Sequence, residues 1–94
     1  MRQIIDGKLY DTEKSQLVAH NHYWDGSNWD RNGRNVYLYR TQKGRFFLYH
    51  TTMWQGERNY IEAITKEEAK QYYEQLPEHE IDYEQAFGAP PEEA

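Results

Sequence analysis

His20 and His22 stand two residues apart, and on a β-strand that spacing turns both imidazoles to one side. With His50 or a carboxylate as a third ligand, such a pair could hold zinc or another divalent ion. No further ligand follows at a recognisable spacing, so no metal is assigned, and the plainer reading is two exposed histidines at the start of a loop. That loop, WDGSNWDRNGRN (24–35), offers oxygen from Asp25, Asp30 and Asn32. Counted from Asp25, a glycine falls second and an aspartate sixth, which breaks the alternating ligand order of a calcium loop. Ser15 and Ser27 are the only serines, and neither sits in a nucleophile elbow. Gly44 and Gly56 stand alone rather than in a phosphate-cradling run. The lack of cysteine removes disulfides, thiolate metal sites and cysteine nucleophiles together. The expectation is a protein that is not an enzyme and carries no cofactor.

Binding chemistry is better supplied. Arg34, Arg40, Lys43 and Arg45 fall within twelve residues and interleave with Tyr37, Tyr39, Phe46, Phe47 and Tyr49. Stacking rings flanked by cations are how a sheet holds single-stranded nucleic acid, here through Tyr37, Tyr39, Arg40, Lys43, Arg45, Phe47 and Tyr49. Against this, the chain is acidic, with net charge −5 and pI near 5.3, and it lacks the signature of the RNA-recognition sheet. The charge is also uneven. Residues 1–60 hold nine Lys/Arg against six Asp/Glu, whereas residues 61–94 hold two against ten. Glu67, Glu68, Glu74, Glu78, Glu80, Asp82 and Glu84 could therefore face a basic partner, although a solvated acidic helix would look the same. Trp24, Trp29 and Trp54 lie in polar loops, as interface anchors or as lids folded over a small core.

The elements that would position these residues are legible from turns and periodicity. Asp6-Gly7, between Ile4-Ile5 and Lys8-Leu9-Tyr10, suits a two-residue turn with positive φ and predicts a hairpin over 2–10. Ser15 to Trp24 reads as a strand with Leu17, Val18 and Tyr23 apolar. LYRTQKGRFFLYH (38–50) predicts a second hairpin, with a three-residue loop and Gly44 left-handed. That register sets Arg40 opposite Phe46, Leu38 opposite Leu48 and Val36 opposite His50 on one face. Tyr37 with Tyr49, and Tyr39 with Phe47, then fall on the other. Residues 51–58 read as a loop and 59–64 as a last strand. Thr65 and Glu68 form a capping box, with Ile64 and Ala69 as its hydrophobic staple. Ala69, Tyr72, Tyr73 and Leu76 make one helical stripe, and Pro77 stops it. A second short helix is expected from about Glu78 to Phe87, ended by Gly88.

Strands first and helices last predict an α+β fold. It would be a small antiparallel sheet of four or five strands with two hairpins, then one main helix and a short second one. Residues 1–88 would form the single domain and 89–94 an acidic flexible tail. MRQIIDGKLYD lacks the apolar run of a signal peptide and no segment reaches membrane-spanning length. The expected setting is cytoplasmic, with no membrane partner.

Four stretches, IIDGKLYDTEK, LYRTQKGRFFLY, EAITKEEAKQYYEQL and YEQAFGAPPEEA, occur in this order. Together they resemble a family of short proteins common in Firmicutes and their mobile elements, with the pattern YDTET…LYRTKKGxFFLY…IxPLTxEEAxxW…FGxPEEA. The chain departs from it at Ala63, where proline is usual, and at Tyr72 or Tyr73, where tryptophan is usual. Residues 19–35 and 51–59 fall outside the pattern and carry His20, His22, Trp24, Trp29 and Trp54. The resemblance implies a shared scaffold displaying variable loops, which suits recognition of a partner. The leading expectation is a non-enzymatic protein-binding module from a mobile element. It would inhibit a host nucleic-acid-handling defence complex by occlusion, as anti-CRISPR proteins of phages do. The alternative is a small regulator holding single-stranded nucleic acid on the aromatic and basic face. Self-association through that face stays open.

Overall fold

The computed structural model describes residues 1–21 and 34–93. Its architecture is α+β, a five-stranded antiparallel sheet with helices on one face and a two-stranded hairpin associated with the other. Strands β1 (Arg2–Ile5) and β2 (Lys8–Asp11) pair with Ile5 opposite Lys8. Asp6 and Gly7 take φ of 52° and 72°, the two positive values that a type I′ turn requires. A 3-10 turn at Thr12–Lys14 follows, capped by Asp11 Oδ1, which accepts from the Glu13 amide at 2.9 Å.

The large sheet comprises β3 (Gln16–His20), β4 (Arg34–Arg40), β5 (Phe46–Thr52), β6 (Tyr60–Ile64) and β7 (Glu78–His79), in the spatial order β6-β5-β4-β3-β7. The β4–β5 register is the one expected, from Val36 opposite His50 through to Arg40 opposite Phe46. Gly44, at φ 84°, closes its turn. Strand β5 runs two residues into the expected loop, to Thr52. In β3 the register shifts between Leu17, opposite Tyr39, and Ala19, opposite Leu38. This bulge gives Val18 no opposite number, and both Val18 and Ala19 enter the helix-side core. The expected apolar set of β3 changes accordingly. Leu17 is only half-buried, Ala19 and His20 are buried, and Tyr23 lies outside the described residues.

Helix α1 (Lys66–Gln75) begins as its sequence dictates. The Glu68 amide donates to Thr65 Oγ1 at 3.1 Å, and the Thr65 amide donates to Glu68 Oε1 at 2.9 Å. The second helix corrects the expected one. Helix α2 spans only Tyr83–Phe87, because Asp82 and Gln85 form their own capping box and set its start. The preceding residues are extended: Glu78 pairs with His20 and His79 with Ala19, closing the open edge of β3.

Two cores result. On the helix side Val18, Ala19, Leu38, Phe46 and Leu48 pack with Ala69, Tyr73, Leu76, Ala86 and Phe87. On the other face Tyr10 of the small hairpin joins Phe47 and Ile61. The hairpin is also held by Gln3, whose Oε1 accepts from the Ile61 amide at 3.1 Å. Ala89, Pro90 and Glu92 of the C-terminal segment border a cleft with Lys66, Lys70 and Tyr83. Among the described residues, no helix is long and apolar enough to cross a membrane.

Candidate functional site

Strand alternation puts Tyr37, Tyr39, Phe47 and Tyr49 on the hairpin-side face of the sheet. Phe47 is fully buried there, stacked on Tyr39 at 5.1 Å and met edge-on by Tyr10 at 5.5 Å. Tyr37 and Tyr49 sit side by side at 5.9 Å. Burial pushes the Tyr39 phenol above its ordinary pKa, with the Tyr37 and Tyr49 phenols adding to the effect. Tyr37 is raised by burial in the same way, against a lowering hydrogen bond with Thr51. Arg40 pairs with Phe46 and so belongs to the opposite face, its guanidinium beside Gly44. The seven residues named for single-strand binding are thus split between an aromatic cluster, the helix-side face and the β4–β5 turn.

That turn carries Lys43 and Arg45, and it borders a cleft of about 370 Å³. Lys8 from the hairpin and Lys14 from the 3-10 turn line the same cleft, with Tyr10 and Asp11. All four cationic side chains are exposed, and no signal in the linear sequence joins Lys8 and Lys14 to Lys43 and Arg45. Asp11 is buried, its Oδ2 lying 3.8 Å from Arg2 Nε.

The far end of the sheet holds a second polar group. His50 Nε2 lies 2.9 Å from Glu62 Oε1, and the imidazole stacks on Tyr60 at 4.5 Å. Arg34 grips Glu57 through both its Nε, at 3.1 Å, and its Nη2. Thr52 Oγ1 donates to the same carboxylate at 2.6 Å. The Arg34 and Thr52 hydrogen bonds hold the Glu57 carboxyl below its usual range. His50, Tyr60, Arg34, Thr52 and Glu57 border a cleft of about 440 Å³. An imidazole oriented by a carboxylate can accept a proton. The only chemical role the sequence reading gave His50 was as a third metal ligand; its register opposite Tyr60, diagonal to Glu62, is what could have revealed the pair. Among the described residues no three His, Asp or Glu side chains converge as metal ligands.

His20 is buried rather than exposed, on the strand edge that β7 pairs with. Its Nε2 lies 2.8 Å from Glu80 Oε2, and its ring lies 5.8 Å from that of Tyr37. His22, Trp24 and Trp29 lie outside the described residues. Trp54 is 53% exposed, next to an exposed Met53. Three of the seven acids named for a basic partner have structural work: Glu68 and Asp82 cap helices and Glu80 meets His20. The other four, Glu67, Glu74, Glu78 and Glu84, are exposed. No family model, curated protein or solved structure matches this chain.

Proposed function

We propose that the chain is a non-catalytic binding domain that docks its acidic helical layer on a basic protein surface and keeps nucleic acid off it by occlusion. An inhibitor of a nucleic-acid-handling complex would act in this way, and the motif resemblance to mobile-element proteins fits that role. The observation that carries the reading is the exposure of Glu67, Glu74, Glu78 and Glu84 outside the capping boxes and the His20 contact. Glu67 and Glu74 are seven apart on α1 and share a helix face, while Glu78 is exposed on the edge strand β7. Cations in this region are few, since residues 61–94 hold only Lys66 and Lys70. Trp54 and Met53 supply exposed apolar area of the kind that anchors an interface. A strand stacked on the sheet is the weaker reading, because Tyr10 covers Phe47 and Arg40 belongs to the other face.

The test compares the native chain with an E67K/E74K/E78K/E84K variant in capture from host lysate, followed by displacement of nucleic acid from the captured complex. The native chain should retain a salt-sensitive partner and release its nucleic acid, and the variant should do neither. Equal capture and displacement by both chains would remove the acidic layer from the mechanism.

A further inference from the structure

We infer that the cleft between the small hairpin and the β4–β5 turn binds a phosphate-bearing small molecule of nucleotide size. This site is separate from the acidic layer of the proposed function and uses none of its residues.

Four cations converge on the cleft from three segments: Lys8 on the hairpin, Lys14 on the 3-10 turn, and Lys43 and Arg45 on the β4–β5 turn. They are four of eleven Lys and Arg in a chain whose net charge is −5, so gathering them runs against the overall balance. Like charges brought together in one concavity repel, and an anion seated among them removes that cost. The one acid in the wall does not do this. Asp11 has its side chain only 7% exposed, with Oδ1 committed to the Glu13 amide and Oδ2 turned toward Arg2.

The remaining wall defines the ligand. Leu9, 48% exposed, offers apolar surface, while Ser15 and Thr41 add hydroxyls. Thr41 Oγ1 accepts from the Arg45 amide at 3.0 Å, which leaves its own hydrogen to donate. Three lysine point charges and one guanidinium fork suit phosphate oxygens, the fork in bidentate geometry. A volume of about 370 Å³ falls at the small end of ligand pockets, enough for a nucleotide and too little for a duplex. The phosphates would meet Lys14, Lys43 and Arg45, and the organic part would lie against Leu9.

The experiment is a titration of the full chain followed by amide NMR, with ADP, pyrophosphate and an oligothymidylate lacking a terminal phosphate as separate probes. ADP should shift amides of residues 7–15 and 41–45 saturably at millimolar concentration or below, and pyrophosphate should shift the same set less tightly. Loss of two charge-assisted contacts in K43E/R45E should weaken ADP roughly tenfold or more. K43M/R45M, which keeps the aliphatic stems, should change affinity in the same direction, whereas R58E at the far end should leave ADP binding unchanged. The absence of a saturable ADP shift would overturn the site. So would equal ADP binding by native and K43E/R45E chains, or binding of the oligonucleotide alone.

Discussion

Phe47 and Leu48 are neighbours on β5, both fully buried, and they point into different cores. Leu48 belongs to the helix-side core, where ten buried residues from the sheet and two helices close over one another. Phe47 belongs to a core of three buried residues, completed by half-buried Ile5, Tyr39 and Tyr49. One face is sealed by helices whose apolar stripe was made for it. The other is sealed over a single aromatic by a hairpin of two four-residue strands, with half-buried tyrosines at its border. Complete burial of a side chain therefore does not need a thick layer; Tyr10 above it, with Tyr39, Ile61 and Ile5 around it, is enough. The two covers differ in what holds them, since α1 and α2 pack through many side chains while the hairpin relies on Tyr10 and the Gln3 clip.

The sharpest way to break this comparison is to truncate the two neighbours separately. Phe47→Ala should cost about 4 kcal/mol and Leu48→Ala about 3 kcal/mol in denaturant unfolding, since both leave cavities in closed surroundings. If Phe47→Ala costs less than about 1 kcal/mol, the hairpin is not a true cover. Next in size, Tyr10→Ala should cost about 3 kcal/mol and speed amide exchange in β1 and β2 before any other element. Tyr10→Phe, which keeps the ring, should leave exchange near native. A smaller effect belongs to the helical cover: Thr65→Ala removes the acceptor of the Glu68 amide and should lower stability by about 1 kcal/mol, fraying the first turn of α1.

The last prediction touches both faces through their phenols. Burial is the leading cause that raises Tyr37 and Tyr39 on the hairpin side, and Tyr72 and Tyr73 on α1. In the unfolded chain these groups ionise near their ordinary value of 10.0, so above that pH the unfolded state binds fewer protons than the native one. Stability should hold up to about pH 10 on their account and fall as pH rises beyond it. Unfolding followed across alkaline pH checks this, and Tyr39→Phe should flatten the decline. A decline as steep in that variant as in the native chain would remove Tyr39 from the effect.

Much of the scaffold could be read along the chain because its signals are local. The Asp6-Gly7 turn, the Gly44 loop and the Thr65–Glu68 box each act within four residues, and each reappears with the expected φ values or hydrogen bonds. The β4–β5 register followed, since loop length sets the pairing of the strands it joins. The start of α2 was legible too, in the Asp82–Gln85 box, but the expected helix ran over it from Glu78. The sites were less legible. Alternation separates Arg40 from Tyr39, yet nothing local reveals that Tyr10 covers Phe47 or that Lys8 and Lys14 join Lys43 and Arg45 at one cleft.

The sequence by itself determined the turns, the cap of α1, the order of the strands that precede it, and the segregation of acid toward the C-terminal third. These follow from backbone conformations and side-chain hydrogen bonds that a few adjacent residues can specify. The tertiary structure decided which edge β7 would close, which residue β3 would bulge, and that His20 would be buried against Glu80 sixty residues away. An open strand edge, a buried imidazole and a cluster of cations are satisfied by whatever the folded chain brings near. That proximity belongs to the packed sheet and to no single stretch of it.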